Sequence, residues 1–139
     1  MRYLIALASY VLLASSHAYA CLGLNAENTL FFKTIPNPLP VADVIAEMVL
    51  LDVSVLDFYK GNATAKILRV IRSADARHHE GDIVSMKYMV SSCGPNHQSG
   101  DKGSIVANVG SDREGRRVLY PYTYRDSDGM FWPPATTKK

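Results

Sequence analysis

Few residues of this 139-residue chain are of types that do chemistry, and two of them are the cysteines Cys21 and Cys93. What a thiol does depends on its compartment, and the N-terminus bears on that. Arg2 supplies a positive charge, residues 4–14 form an apolar run, and Ala18-Tyr19-Ala20 follows. That order predicts a secretory signal peptide over residues 1–20, cut after Ala20, so that the mature chain starts at Cys21. The apolar run falls short of the ~20 residues that cross a bilayer and stops at Ser15, Ser16 and His17. Small side chains at Ala18 and Ala20 suit an ordinary signal peptidase. The rival is a lipoprotein peptidase, which would leave a lipid on Cys21; Ala18 and Tyr19 depart from the Leu and small residue it uses. The expected location is secreted or periplasmic.

In an oxidising compartment the two thiols are expected to pair. A bridge closing 72 positions would be worth roughly 4 to 5 kcal/mol in the chain-entropy description. Two free thiols are the alternative, and so is a Cys/His nucleophile pair with His78, His79 or His97 as base, which nothing in the spacing selects.

The remaining reactive types are weighed against plainer roles. His78-His79-Glu80 has zinc-ligand chemistry, but adjacent residues on a polar loop rarely converge on one ion and no third ligand is evident, so a solvated loop is expected. Asp126-Ser127-Asp128-Gly129 lacks the downstream bidentate Glu of a calcium loop and reads as a turn. Tyr120, Tyr122 and Tyr124 alternate along one expected strand and therefore share a face. That face is either a stacking platform for sugar, which would make the chain a periplasmic or surface binding module for a glycan or protein ligand, or ordinary packing, since Tyr serves both. Asn62-Ala63-Thr64 is a glycosylation sequon only in a eukaryotic source. No paired carboxylates, nucleophile setting or cofactor loop stands out, so a non-catalytic protein is expected, with no cofactor and no intrinsic metal.

Removing residues 1–20 leaves 119, enough for one domain with a modest core. The formal charge falls from +2 to +1 with the loss of Arg2, too little to recruit nucleic acid. The elements that position the candidates are strands. Residues 22–40 carry Pro36, Pro38 and Pro40 and read as an irregular arm. Residues 42–51 are dense enough in apolar side chains for a strand buried on both faces. Lys60-Gly61-Asn62 reads as a turn before a strand at 63–73, and residues 82–90 alternate with Val84, Met86, Tyr88 and Val90 on one side. Strands at 104–109 and 117–124 complete five, with Pro121 holding the last at an edge or bulge. The expectation is an all-β domain over 21–132, a small antiparallel barrel or sandwich, with a disordered tail at 133–139.

Three features give this chain a family resemblance. They are a mature start at Cys21, the strand openings Ala42-Asp43-Val44-Ile45 and Lys66-Ile67-Leu68-Arg69-Val70-Ile71-Arg72, and Ser92-Cys93-Gly94 at the matching distance from Cys21. In order and spacing they resemble the N-terminal domain of tissue inhibitors of metalloproteinases, within the netrin-like group. The resemblance implies a five-stranded OB-fold-like barrel with its N-terminal arm stapled by the Cys21–Cys93 disulfide. It also implies an inhibitory wedge. An α-amino group with a pKa near ~8 can lose its proton and, with the Cys21 carbonyl, take the open position on a partner protease's zinc. Leu22 would enter the specificity pocket, and Ser91 and Ser92 would line the wedge. The implied partner is an extracellular or periplasmic metalloprotease, met by a monomer. The chain departs from the animal members at Gly23, where they carry a second cysteine, and it lacks their further disulfides and second domain.

Overall fold

The computed structural model describes residues 26–27, 30–32, 34–35, 37–38, 41–57, 60–74, 76–90, 94–125 and 130–132. Among them there is no helix, and eight strands follow in order: β1 (Ala26–Glu27), β2 (Val44–Asp57), β3 (Lys60–Ser73), β4 (Ile83–Met89), β5 (Lys102–Ser111), β6 (Arg117–Pro121), β7 (Thr123–Arg125) and β8 (Met130–Trp132). Five of them close into a barrel in the order β2-β3-β4-β6-β5, and β1, β7 and β8 form a separate small sheet. Numbered within the barrel the order is 1-2-3-5-4, which makes it OB-fold-like. Pairing is antiparallel, as expected, except at the seam where β4 meets β6 in parallel through Met86 and Leu119.

The barrel interior is filled from alternate positions, as a pleated sheet requires. Met48 and Leu50 from β2, Ala65 and Ile67 from β3, Met86 and Tyr88 from β4, Ile105 and Ala107 from β5 and Leu119 from β6 form one buried cluster. Full burial of each larger aliphatic side chain is worth about 1.5 to 3 kcal/mol. Alanines between the large residues let five strands close around so narrow a space. Four register shifts between β2 and β3 add the coiling that closure needs.

A second cluster lies on the outside of β2 and β5. Ile45 and Val106 point outward there and are covered by Phe32, Ala42 and Tyr122. This is why Val44, Ile45 and Ala46 are all buried, as the dense apolar sequence predicts, whereas from Leu51 to Leu56 every side chain of the strand but the half-buried Val53 is exposed.

Three sequence expectations are corrected. Lys60-Gly61-Asn62 is not a turn: it opens β3, and a Cβ on Gly61 would sit 2.4 Å from Cζ of Tyr88. The glycine admits an aromatic ring against the backbone. The expected strand over 117–124 is two strands, because after Tyr122, whose amide still donates to the Val106 carbonyl of β5, the chain leaves β5 and β7 pairs with β1 and β8 instead. The arm is not merely irregular: Leu30, Phe31 and Phe32 are buried, and Phe32 bridges to Ser104 of β5.

Candidate functional site

The arm and the loop between β4 and β5 meet at one edge of the barrel. Phe31 lies against Gly103, where a Cβ would come within 2.9 Å of it, and the Phe32 amide donates to the Ser104 carbonyl at 2.8 Å. The loop approaches from the other side. The Gly100 amide donates to the Leu50 carbonyl and the Leu50 amide to the Asp101 carbonyl, both at 2.8 Å, and the Ser99 hydroxyl donates to the Leu51 carbonyl at 2.9 Å. Gly100 turns the chain with a φ of 93°, a conformation that suits glycine.

His97 joins the two. Its side chain is 4% exposed, and its ring stands edge-on to Phe31 with centroids 5.5 Å apart and to Tyr88 at 6.0 Å. Burial pushes its pKa below the ordinary histidine value, an effect that Asp101, at 3.5 Å from Nδ1, partly offsets. Asp101 Oδ2 also accepts from the Gln98 amide at 3.1 Å, so the carboxylate shapes the loop as well as facing the imidazole. An imidazole packed between two rings suits a pin better than a proton shuttle. Burial also raises the pKa of the Tyr88 phenol.

Between arm and loop opens a cleft of about 630 Å³, lined by Phe31, Phe32, Glu47, Leu68, His97 and Ser104 among others. At its rim Arg69 grips Glu47 across β2 and β3, with N–O distances of 2.6 and 3.3 Å, and this bond holds the Glu47 carboxyl below its usual range. Both side chains are exposed, so the pair orders the rim more than it stabilises the fold.

Cys21, Leu22, Ser91, Ser92 and Cys93, with the expected disulfide and wedge, lie outside the described residues, as do Asp126–Gly129, the tail at 133–139 and the signal segment. The tyrosines expected on one face are divided. Tyr122 is 2% exposed in the outer cluster, and its hydroxyl accepts from Asn108 Nδ2 and donates to the Val41 carbonyl. Its ring is therefore not offered to a ligand. Tyr120 is half-buried over Gly110, with its hydroxyl donating to the Ser111 carbonyl. Tyr124 sits in β7 opposite Glu27, and its side chain lies outside the described residues. The His78–Glu80 loop is only partly solvated, since His78 is buried while His79 and Glu80 are exposed. Among the described residues no three His, Cys, Asp or Glu side chains gather to hold a metal, and no helix is long and apolar enough to cross a membrane.

The sequence does not mark Leu30–Phe32 as buried, and it offers His97 only as a base for a cysteine, not as a packed ring. The triplet carried a signal, three large apolar residues between polar neighbours, but the prolines after it dominated the reading. His97 had none, because a histidine's burial depends on rings that are remote in the chain. No protein-family model, curated protein or solved structure matches this chain.

Proposed function

We propose that this is an exported, non-catalytic binding protein that acts on a metalloprotease through its N-terminal edge, in the manner of the tissue inhibitors of metalloproteinases. In this reading the signal cut frees the amine of Cys21, which with its own carbonyl would occupy the open position on the protease's zinc. Leu22 would enter the adjacent pocket, while Cys93 would hold Cys21 in place beside Ser91 and Ser92. Rigidity is what such a wedge needs, because a terminus already ordered loses little freedom on binding.

One observation carries the reading: the contact between Phe31 and His97. It joins the arm that leads away from Cys21 to the loop that leads away from Cys93, at the same edge of the barrel. The OB-fold-like strand order supports the kinship but not the activity, since a fold hosts many functions.

The test is the exported protein itself. Intact mass and N-terminal sequencing should give a chain starting at an unmodified Cys21, two mass units lighter than the dithiol (~2 Da for the loss of two hydrogens on pairing). That material should inhibit a secreted zinc protease, and a version carrying one extra alanine before Cys21 should not. Equal inhibition by both versions, or a lipid on Cys21, would remove the zinc-binding wedge.

A further inference from the structure

Strand β2 outruns one of its neighbours. Its pairing with β5 ends at Val49 and Lys102, and the loop before β5 covers two more positions, where the Gly100 amide donates to the Leu50 carbonyl and the Ser99 hydroxyl to the Leu51 carbonyl. From Asp52 to Asp57 the strand has β3 on one side, and among the described residues no strand or backbone hydrogen bond meets it on the other. Every second residue of such a strand turns its N–H and C=O away from the neighbour it has, so the stretch offers an open ladder.

Comparable edges in the same barrel are closed or guarded. Past Ala107, where β5 leaves β2, the Val109 amide donates to the Asp43 carboxylate at 2.9 Å. Past Lys66, where β3 leaves β4, Ile67 is met by Gly81 and Asp82, and the residues beyond include Arg69 and Arg72, cations of the kind that guard an edge. Residues 51–57 hold no Lys, Arg, Pro or Gly. They are largely apolar instead, with Leu51 42%, Val55 62% and Leu56 66% exposed. An edge so built is a template for another β-strand.

An incoming antiparallel strand must set apolar residues opposite Val53 and Val55 and keep acids away from Asp52. The chain's own residues 52–56 meet both conditions. About a twofold axis at Ser54, Val53 lies opposite Val55 of the second copy, Asp52 opposite Leu56, and Ser54 opposite Ser54. The two Asp52 positions then stand about 14 Å apart, beyond the screening length of physiological salt. A parallel arrangement would instead put them side by side. The formal charge of +2 per chain gives two copies little repulsion to overcome. We propose that this chain forms a twofold dimer by antiparallel pairing of residues 52–56 with the same residues of a second copy, joining β2, β3 and β4 of each into one six-stranded sheet. The interface is small, so half-association belongs at about 10 to 100 µM, and the monomer that the family resemblance implies is the dilute form. The dimer uses none of the wedge residues and stands whether or not the wedge inhibits a protease.

The experiment is sedimentation equilibrium of the exported chain from about 10 µM to about 1 mM, a range that brackets such a dimer. The mean mass should rise toward twice the monomer's, and hydrogen exchange at the amides of residues 52–56 should slow as concentration rises. Val55→Lys puts a cation at an exposed position opposite Gly61, which has no side chain to crowd it. It should fold with an unchanged melting temperature and associate about tenfold more weakly or worse. Ser54→Cys should cross-link to its own copy under mild oxidation, whereas Lys66→Cys, exposed but on β3, should not. The proposal is overturned by a chain that stays monomeric at about 1 mM, which would leave the edge to a foreign strand. A dimer whose slowed amides lie elsewhere, or Val55→Lys associating like the parent, overturns it as well. So does cross-linking of Lys66→Cys as readily as Ser54→Cys.

Discussion

Strand β2 has two outward-facing stretches that share a backbone and differ in what lies over them. At Ile45 the outer face is sealed by Phe32, Ala42 and Tyr122; at Asp52 and Ser54 it is open and polar. The covering pieces come from the arm and from the link after Pro121, so one end of the strand is packed twice and the other once. The difference teaches that the barrel alone does not set burial in a small closed sheet. The irregular segments decide which outer face becomes a second core and which stays open to solvent.

Tyr122→Ala attacks the sealed face and should have the largest effect, a loss of about 3 to 5 kcal/mol as for other buried aromatics, read by denaturant unfolding. A loss below 1 kcal/mol would mean that the outer cluster is not a core at all. Asn108→Ala should cost less, about 1 to 3 kcal/mol. Its side chain accepts from the Asp43 amide and donates to the Tyr122 hydroxyl, and both bonds vanish together.

A third way to sharpen the contrast is pH. The folded pKa of His97 lies below its ordinary value of 6.5, so the unfolded chain takes up the proton first. The stability contributed by neutral His97 is whole above about pH 6.5 and falls as pH drops through the lower folded value. His97→Gln should lack this part of the acid loss, so the stability curves of parent and variant should draw together as the solution is acidified. Curves that stay parallel between neutral pH and pH 5 would show that the pin between arm and loop is not sensitive to protonation. Smallest of all, Thr64→Val on the open face should change stability by no more than about 0.5 kcal/mol, because nothing in the fold depends on its hydroxyl.

The barrel was legible because its strands obey period two. Val84, Met86 and Tyr88 alternate inward in β4, and the apolar density at 44–46 announces two-sided burial. What was not legible came from residues whose meaning lies across space. Gly61 is a turn residue by type but makes room for Tyr88, and Tyr122 belongs to a face by alternation but is turned into a core by the break at Pro121. The polar face was hidden for the same reason. Asp52, Ser54, Asn62, Thr64, Ser85 and Lys87 come from three separate stretches and become one surface only through register. Of the expected wedge residues, Ser91, Ser92 and Cys93 adjoin the described loop that starts at Gly94, whereas Cys21 and Leu22 are separated from Ala26 by residues outside the description.

The pairing of β1 with β7 has a consequence for how the molecule is made. Glu27 meets Tyr124, so the first strand among the described residues waits for almost the last. As the polypeptide emerges, β2, β3 and β4 can form an open sheet early, but β2 stays an unprotected edge until β5 arrives. Phe32 of the arm can bridge to β5 once Ser104 is out, but β1 gains its partner only with β7. Contacts of such long sequence separation are slow to form. A nascent chain stopped before Arg117 would therefore hold a half-built sheet with sticky borders, and β6 and β7 (Arg117–Pro121 and Thr123–Arg125) act as the clasp that makes the rest safe from aggregation.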